Sequence, residues 1–206
     1  NPKVYHLENH EVDSFLDRYL DELLTGKQEM PKALYITDLS ANSVNAEKLD
    51  KLYHQGLKNL HLFDHHLTAL FLNEYPWANV LIEKDGRKEC GTSLFYNHLI
   101  DMGLGLSGKS GKTLECLVEH IRLYDTWEWE SEGKIEAKYL NDLFYLEGPD
   151  LFMENRIEQI KSGDDNRLWN DFEEQLLKIE RERINRYLEK KDKAMIVITN
   201  YFMDQE

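Results

Sequence analysis

The chain has 206 residues, 41% of them apolar and 31% charged, enough to build one globular domain with a substantial core, with or without an appendage. Twenty-five basic against thirty-nine acidic side chains leave a net charge of -14, which argues against broad adhesion to polyanions. No apolar run approaches the ~20 residues that span a bilayer, no signal peptide opens the chain, and Cys90 and Cys116 are too few for a disulfide framework. The expectation is a soluble, acidic, cytoplasmic protein with no membrane partner.

Asn1-Pro2-Lys3-Val4-Tyr5-His6-Leu7 reads like entry into a strand. Val12, Phe15, Leu16, Tyr19, Leu20 and Leu23 then follow helical spacing. Residues 33–37 form a short apolar run of strand length. Ala46, Leu49, Leu52 and Tyr53 give a briefer helical pattern, and runs at 60–63 and 78–82 complete a set of strands. Strands alternating with helices over short connections predict an α/β fold, a parallel sheet flanked by helices on both faces. Beyond about residue 91 the texture turns helical, at 94–102, 114–124, 137–146 and 151–160. A charged helix follows at 168–188, with loops at 103–111 and 163–166. Residues 194–199 (Ala-Met-Ile-Val-Ile-Thr) read as a further strand. Both ends look cut, so a fragment of a longer chain is expected.

The most informative segment is Leu62-Phe63-Asp64-His65-His66-Leu67, an acid and two histidines after a strand. Ligands of open α/β sheets bind at the carboxyl ends of strands. Side chains alternate faces along a regular strand, but where the backbone turns at its end two or three can converge. Imidazole suits manganese, zinc or iron, and carboxylates favour magnesium and manganese. The plain alternative is a capping Asp64 with surface histidines. Ala33-Leu34-Tyr35-Ile36-Thr37-Asp38 is another apolar strand ending in an acid, so Asp38 and Asp64 fall at one edge of a parallel sheet. Asp38 could equally cap a turn. Asp125, in Leu123-Tyr124-Asp125-Thr126-Trp127-Glu128-Trp129, closes a helical stretch. Trp127 and Trp129 are read as packing residues, substrate stacking being the rarer use.

Asp64-His65-His66 after an apolar strand, Asp38 one strand earlier and Asp125 about sixty residues on together resemble the DHH phosphoesterases. That family includes single-strand exonucleases, cyclic-dinucleotide phosphodiesterases and manganese pyrophosphatases. The flanks Asp64-His65-His66-Leu67-Thr68-Ala69-Leu70 and Cys90-Gly91-Thr92-Ser93-Leu94 look like its bacterial oligoribonuclease-like branch, and the resemblance covers residues 4–198. It implies that Asp38 bridges two divalent cations, that His65 is a metal ligand, and that Asp125 ligates the second metal. Asp64 would orient the site and His66 would face the substrate phosphate. The cofactor implied is a pair of manganese ions, with magnesium the alternative. The partner implied is a small phosphorylated or nucleotide substrate, including a short single-stranded oligonucleotide, and the chain is expected to form a homodimer. By the same resemblance, residues 1–165 are the catalytic domain, 166–193 a connector helix and 194–206 the opening of a C-terminal substrate domain. The family's first motif, a His followed by Asp-x-Asp, is absent from these residues and expected upstream, so the chain alone is expected to bind metal poorly.

Other segments carry less. His6 and His10 are read as strand-end and helix-start residues. Gly108-Lys109-Ser110-Gly111-Lys112-Thr113 lacks the earlier glycine and preceding strand of a phosphate-binding loop. Glu115, Cys116 and His120 suit a partly buried helix, and Cys90 has no basic neighbour in sequence to lower its pKa. The reading is a metal-dependent phosphoesterase acting on phosphodiester or phosphoanhydride bonds. The alternatives are a non-catalytic binding or regulatory module and a manganese pyrophosphatase-like enzyme.

Overall fold

The computed structural model describes residues 3–163 and 168–203. Residues 164–166 of the expected loop, and the outermost residues of both expected terminal segments, lie outside them. The chain divides into two compact units, Asn1–Gly105 with Ile121–Glu128, and Leu106–His120 with Trp129–Glu206.

The first unit is the expected α/β layer. Helix α1 (Asn9–Leu24) buries Val12, Leu16, Leu20 and Leu23, one stripe at near-fourfold spacing. The Glu11 carboxylate accepts from the Glu8 N–H at 3.0 Å, which satisfies an orphan donor at its start. Residues 3–8 form no strand; instead Tyr5 lies against Phe15 of α1, ring centroids 4.8 Å apart. Strand β1 (Leu34–Thr37) leads to α2 (Ser43–His54), whose N-cap Asn42 accepts from Asn45 N–H at 2.9 Å. Strand β2 (Leu60–Asp64), a 3-10 segment (Leu67–Glu74) and β3 (Ala78–Val80) follow. The sheet order is β1-β2-β3, all parallel, with Leu34 opposite Leu60 and Leu62 opposite Ala78.

Period-two alternation in β2 divides the packing. Leu60 and Leu62 join α1 and α2 in a buried cluster with Ile36, Leu49 and Leu52. His61 and Phe63 face the other way, where α3 (Gly91–Asp101) covers the sheet. Phe63 and Phe95 ring centroids lie 5.8 Å apart, and His61 and His98 4.4 Å apart. Both faces are therefore covered, as the alternating pattern predicts. Between β3 and α3 lies a hairpin that the pattern did not predict, β4 (Glu83–Lys84) and β5 (Arg87–Lys88), turned by Asp85 and Gly86 at φ 54° and 80°. Positive φ at both central residues is what a two-residue hairpin needs, and Asp-Gly supplies it.

Helix α4 (Gly108–Asp125) begins inside the segment expected as a loop, and its last residues from Ile121 belong to the first unit. A short helix α5 (Glu128–Ser131) follows. The second unit contains α6 (Ile135–Glu147), α7 (Pro149–Ser162) and α8 (Asp171–Met203). Its interior holds Ala137, Leu140, Leu143 and Leu177, together with the buried ion pair of Arg156 and Glu173. The expected charged helix is present and longer than its pattern. Residues 194–199, expected as a strand, lie within α8. Nothing between residue 171 and that run breaks a helix: the stretch has no glycine or proline, and a short apolar run alone does not distinguish strand from helix. Among the described residues no helix is long and apolar enough to cross a membrane.

Candidate metal centre

The site forms where β1 and β2 end. Asp38 follows β1 at φ 59°, the left-handed region that aspartate tolerates better than most residues. Its N–H donates to the Phe63 carbonyl at 2.8 Å, so the turn is tied to β2. Gly91, first residue of α3, packs onto it. A Cβ at Gly91 would stand 2.5 Å from the Asp38 nitrogen and 2.7 Å from its Cα, so only glycine admits the approach.

Asp64 ends β2 with a fully buried side chain. Its Oδ1 accepts from the His65 N–H at 2.8 Å and from His66 Nδ1 at 2.6 Å, and its Oδ2 accepts from the Ser40 hydroxyl. A buried carboxylate must be satisfied by such donors. Here they fix both histidines and leave Asp64 little capacity for anything else.

His65 is thereby set with Nε2 3.3 Å from Asp38 Oδ1 and 3.1 Å from Asp125 Oδ2. Asp125 arrives from the end of α4, far along the chain. Both Asp38 Oδ1 and His65 Nε2 are buried without an aligned hydrogen bond among the described residues. Ligand atoms of Asp38, His65 and His66 all lie within 4.8 Å of one another. The side chain of His66 is half exposed, while that of His65 is mostly covered.

The electrostatics follow from this crowding. The facing His65 imidazole holds the Asp38 carboxyl below its ordinary value, helped by the charges of His65 and His66 and by the Gly91 N–H, against burial. Asp38 pushes the His65 imidazole up, and the charges of Asp125, Asp38 and Asp64 add to the effect against burial. Burial, then the Asp38 charge, pushes the Asp125 carboxyl up. Clustered carboxylates with one imidazole between them are short of positive charge. Mixed carboxylate and imidazole donors with orphaned buried ligand atoms fit a divalent cation.

The structure thus brings together Asp38, Asp64, His65, His66 and Asp125. Sequence reasoning passed over Ser40, which donates to Asp64, and gave Gly91 no role although it stands in a quoted flank. It also read Trp127 as packing, whereas that residue is 66% exposed at φ 61°. Trp129 is half-buried. The lesser candidates stay lesser. His6 and His10 are exposed. Residues 108–113 open α4 as ordinary helix. His120 Nδ1 lies 2.8 Å from the Cys116 carbonyl and 3.6 Å from its sulfur, a contact one helical turn apart. Cys90 is buried and caps α3, its sulfur accepting from Ser93 N–H at 3.4 Å. Burial above all pushes that thiol up, away from the reactive thiolate.

No family model matches the chain, and no solved structure matches it. Over 189 residues, 91% of its length, the chain is 41% identical to oligoribonuclease NrnB of Bacillus subtilis (strain 168), and it spans 45% of that relative's length.

Proposed function

We propose that the chain carries the metal site of a DHH-type phosphoesterase that hydrolyses phosphodiester or phosphoanhydride bonds in a small nucleotide or short oligonucleotide. The observation that carries this reading is the meeting of Asp38 and Asp125 on His65 Nε2, at 3.3 and 3.1 Å. Groups from the ends of β1, β2 and α4 converge there, and Asp38 Oδ1 and His65 Nε2 are buried without an aligned hydrogen bond among the described residues. The identity to a named oligoribonuclease supports the substrate class.

In this reading Asp38, His65 and Asp125 hold two divalent cations, manganese first among them and magnesium second. Bound there, such ions supply Lewis acidity toward phosphoryl oxygens and a water of lowered pKa. The chain's own groups do the positioning. Asp64 fixes the His65 backbone and the His66 ring. With Nδ1 engaged on Asp64, His66 keeps Nε2 for a substrate phosphoryl oxygen. Asp38, already held below its ordinary value by His65, is ionised and ready for a cation at neutral pH.

The test is turnover of a short oligoribonucleotide, a bis-aryl phosphate and inorganic pyrophosphate by the manganese-loaded protein extended through the expected upstream motif. Oligonucleotide cleavage that disappears in Asp38→Asn, His65→Ala and Asp125→Asn supports the reading. Asp64→Ala should retain some function, losing about 10- to 100-fold in metal affinity or activity as orienting partners of ligands do. Pyrophosphate as the preferred substrate moves the assignment to the pyrophosphatase-like alternative. No turnover across the panel refutes the enzyme.

A further inference from the structure

Directly after Asp125 the chain makes a turn whose construction the metal centre does not require. Trp127 sits there at φ 61°, a conformation bulky residues rarely adopt, with its side chain 66% exposed. An exposed indole in a strained backbone is stabilised by neither burial nor conformational preference. It persists because its surroundings hold it, and such positions cluster at functional sites.

The holding elements are specific. Arg122, 2% exposed, donates through Nη1 to the Lys88 carbonyl at 2.9 Å and to the Glu128 carboxylate. Buried Thr126 donates from its hydroxyl to the Arg122 carbonyl at 2.9 Å and to Glu128 Oε2 at 3.3 Å. Lys88 Nζ donates to the Thr126 carbonyl at 3.4 Å, and the Trp127 N–H to the Tyr124 carbonyl at 3.1 Å. The indole itself stacks on Tyr124, centroids 6.2 Å apart and planes at 27°. The two rings form a stack from which most of the indole stays exposed.

Its place in the chain gives it a use. Trp127 lies two residues beyond Asp125, so their Cα atoms are at most about 7 Å apart. The net charge of -14 gives the chain no overall electrostatic attraction for nucleotide backbones. Stacking on an aromatic face is the other general source of affinity, and it accepts any base.

We propose that Trp127 is a base-stacking platform, on which the nucleobase next to the phosphate held at the metal centre lies. This rests on the phosphoesterase reading and adds to it where the base binds. The ligands that test it are adenosine 5′-monophosphate, which cannot be turned over as a diester, and ribose 5-phosphate, which lacks the base. Titration of each, by calorimetry, into the manganese-loaded protein extended through the expected upstream motif gives the affinities. Trp127→Ala should weaken the nucleotide by roughly 5- to 150-fold, the loss of one base–aromatic stack, and leave ribose 5-phosphate unchanged. Trp127→Phe should recover most of the nucleotide affinity. Unchanged nucleotide binding in Trp127→Ala overturns the platform and leaves the phosphoesterase reading standing. Loss of ribose 5-phosphate together with the nucleotide assigns Trp127 to the shape of the turn instead, and overturns the platform too. Failure of the unsubstituted extended protein to bind either ligand brings down both the phosphoesterase reading and the platform.

Discussion

Gly91→Ala separates the fold from the site more sharply than any change to a ligand. The new methyl group would meet Asp38 nitrogen at 2.5 Å, and Asp38 Cα and Cβ at 2.7 Å, where ordinary contact begins near 3.4 Å. The obstructing atoms are mostly backbone, so no side-chain rotation clears them, and α3 or the β1 turn must move by about 0.9 Å, the difference between 3.4 and 2.5 Å. Overpacking of this kind costs typically about 1–3 kcal/mol, and we expect about 2 kcal/mol in chemical denaturation. Because the displaced residue is Asp38, the same shift moves its carboxylate relative to His65 Nε2, 3.3 Å away, the pair proposed to hold metal. Manganese affinity, read by calorimetry on the folded variant, should fall with stability. Gly86→Ala is the control: its φ of +80° is strained for any side chain, but a Cβ there meets nothing within 4 Å. It should cost about 1 kcal/mol and leave metal affinity alone. If Gly91→Ala matches the parent in both stability and manganese affinity, the close approach of α3 to Asp38 does not position the site.

Two further outcomes follow from groups outside the ligands. Burial, and then the charge of His98, hold the His61 imidazole below its ordinary value, so the unfolded chain takes up its proton first. Stability from this group is therefore complete above the ordinary histidine value of about 6.5 and declines as pH falls from there toward the depressed value. His61→Phe, set among Phe63, Phe95 and Tyr35, should flatten that decline between about pH 7 and 5 in denaturation profiles; parallel profiles for the two proteins would contradict the assignment. In the second unit, Arg156→Met leaves the fully buried Glu173 carboxylate without its cation, at about 3–5 kcal/mol. The double change Arg156→Met, Glu173→Leu should recover much of the loss, and a double variant as unstable as the single one would rule out an unpaired charge as the cause.

The alternation that predicted the α/β layer was legible because β2 is buried on both faces and α1 keeps an unbroken apolar stripe. Asp38, Asp64 and His65 could be placed at strand ends for the same reason, since a strand's end is where an apolar run stops. Asp125 was harder. Its meeting with His65 depends on where α4 ends, which no local pattern encodes, and only the family resemblance singled it out. The hairpin at Asp85-Gly86 carried a visible turn signal, but its strands are too short to alternate. The error at residues 194–199 is of another kind, since β-branched residues read as strand continue a helix when nothing interrupts it. Trp127 was misjudged because exposure is a property of the fold. The network of Arg122, Thr126 and Glu128 that presents it has no spacing rule.

The left-handed turn at Asp38 has a consequence for the molecule's history. Glycine would sit there with less strain and would free the chain from a conformation that disfavours every other residue, so selection for durability alone drifts toward glycine. Replacing Asp38 by glycine should therefore ease the turn while removing the carboxylate that faces His65.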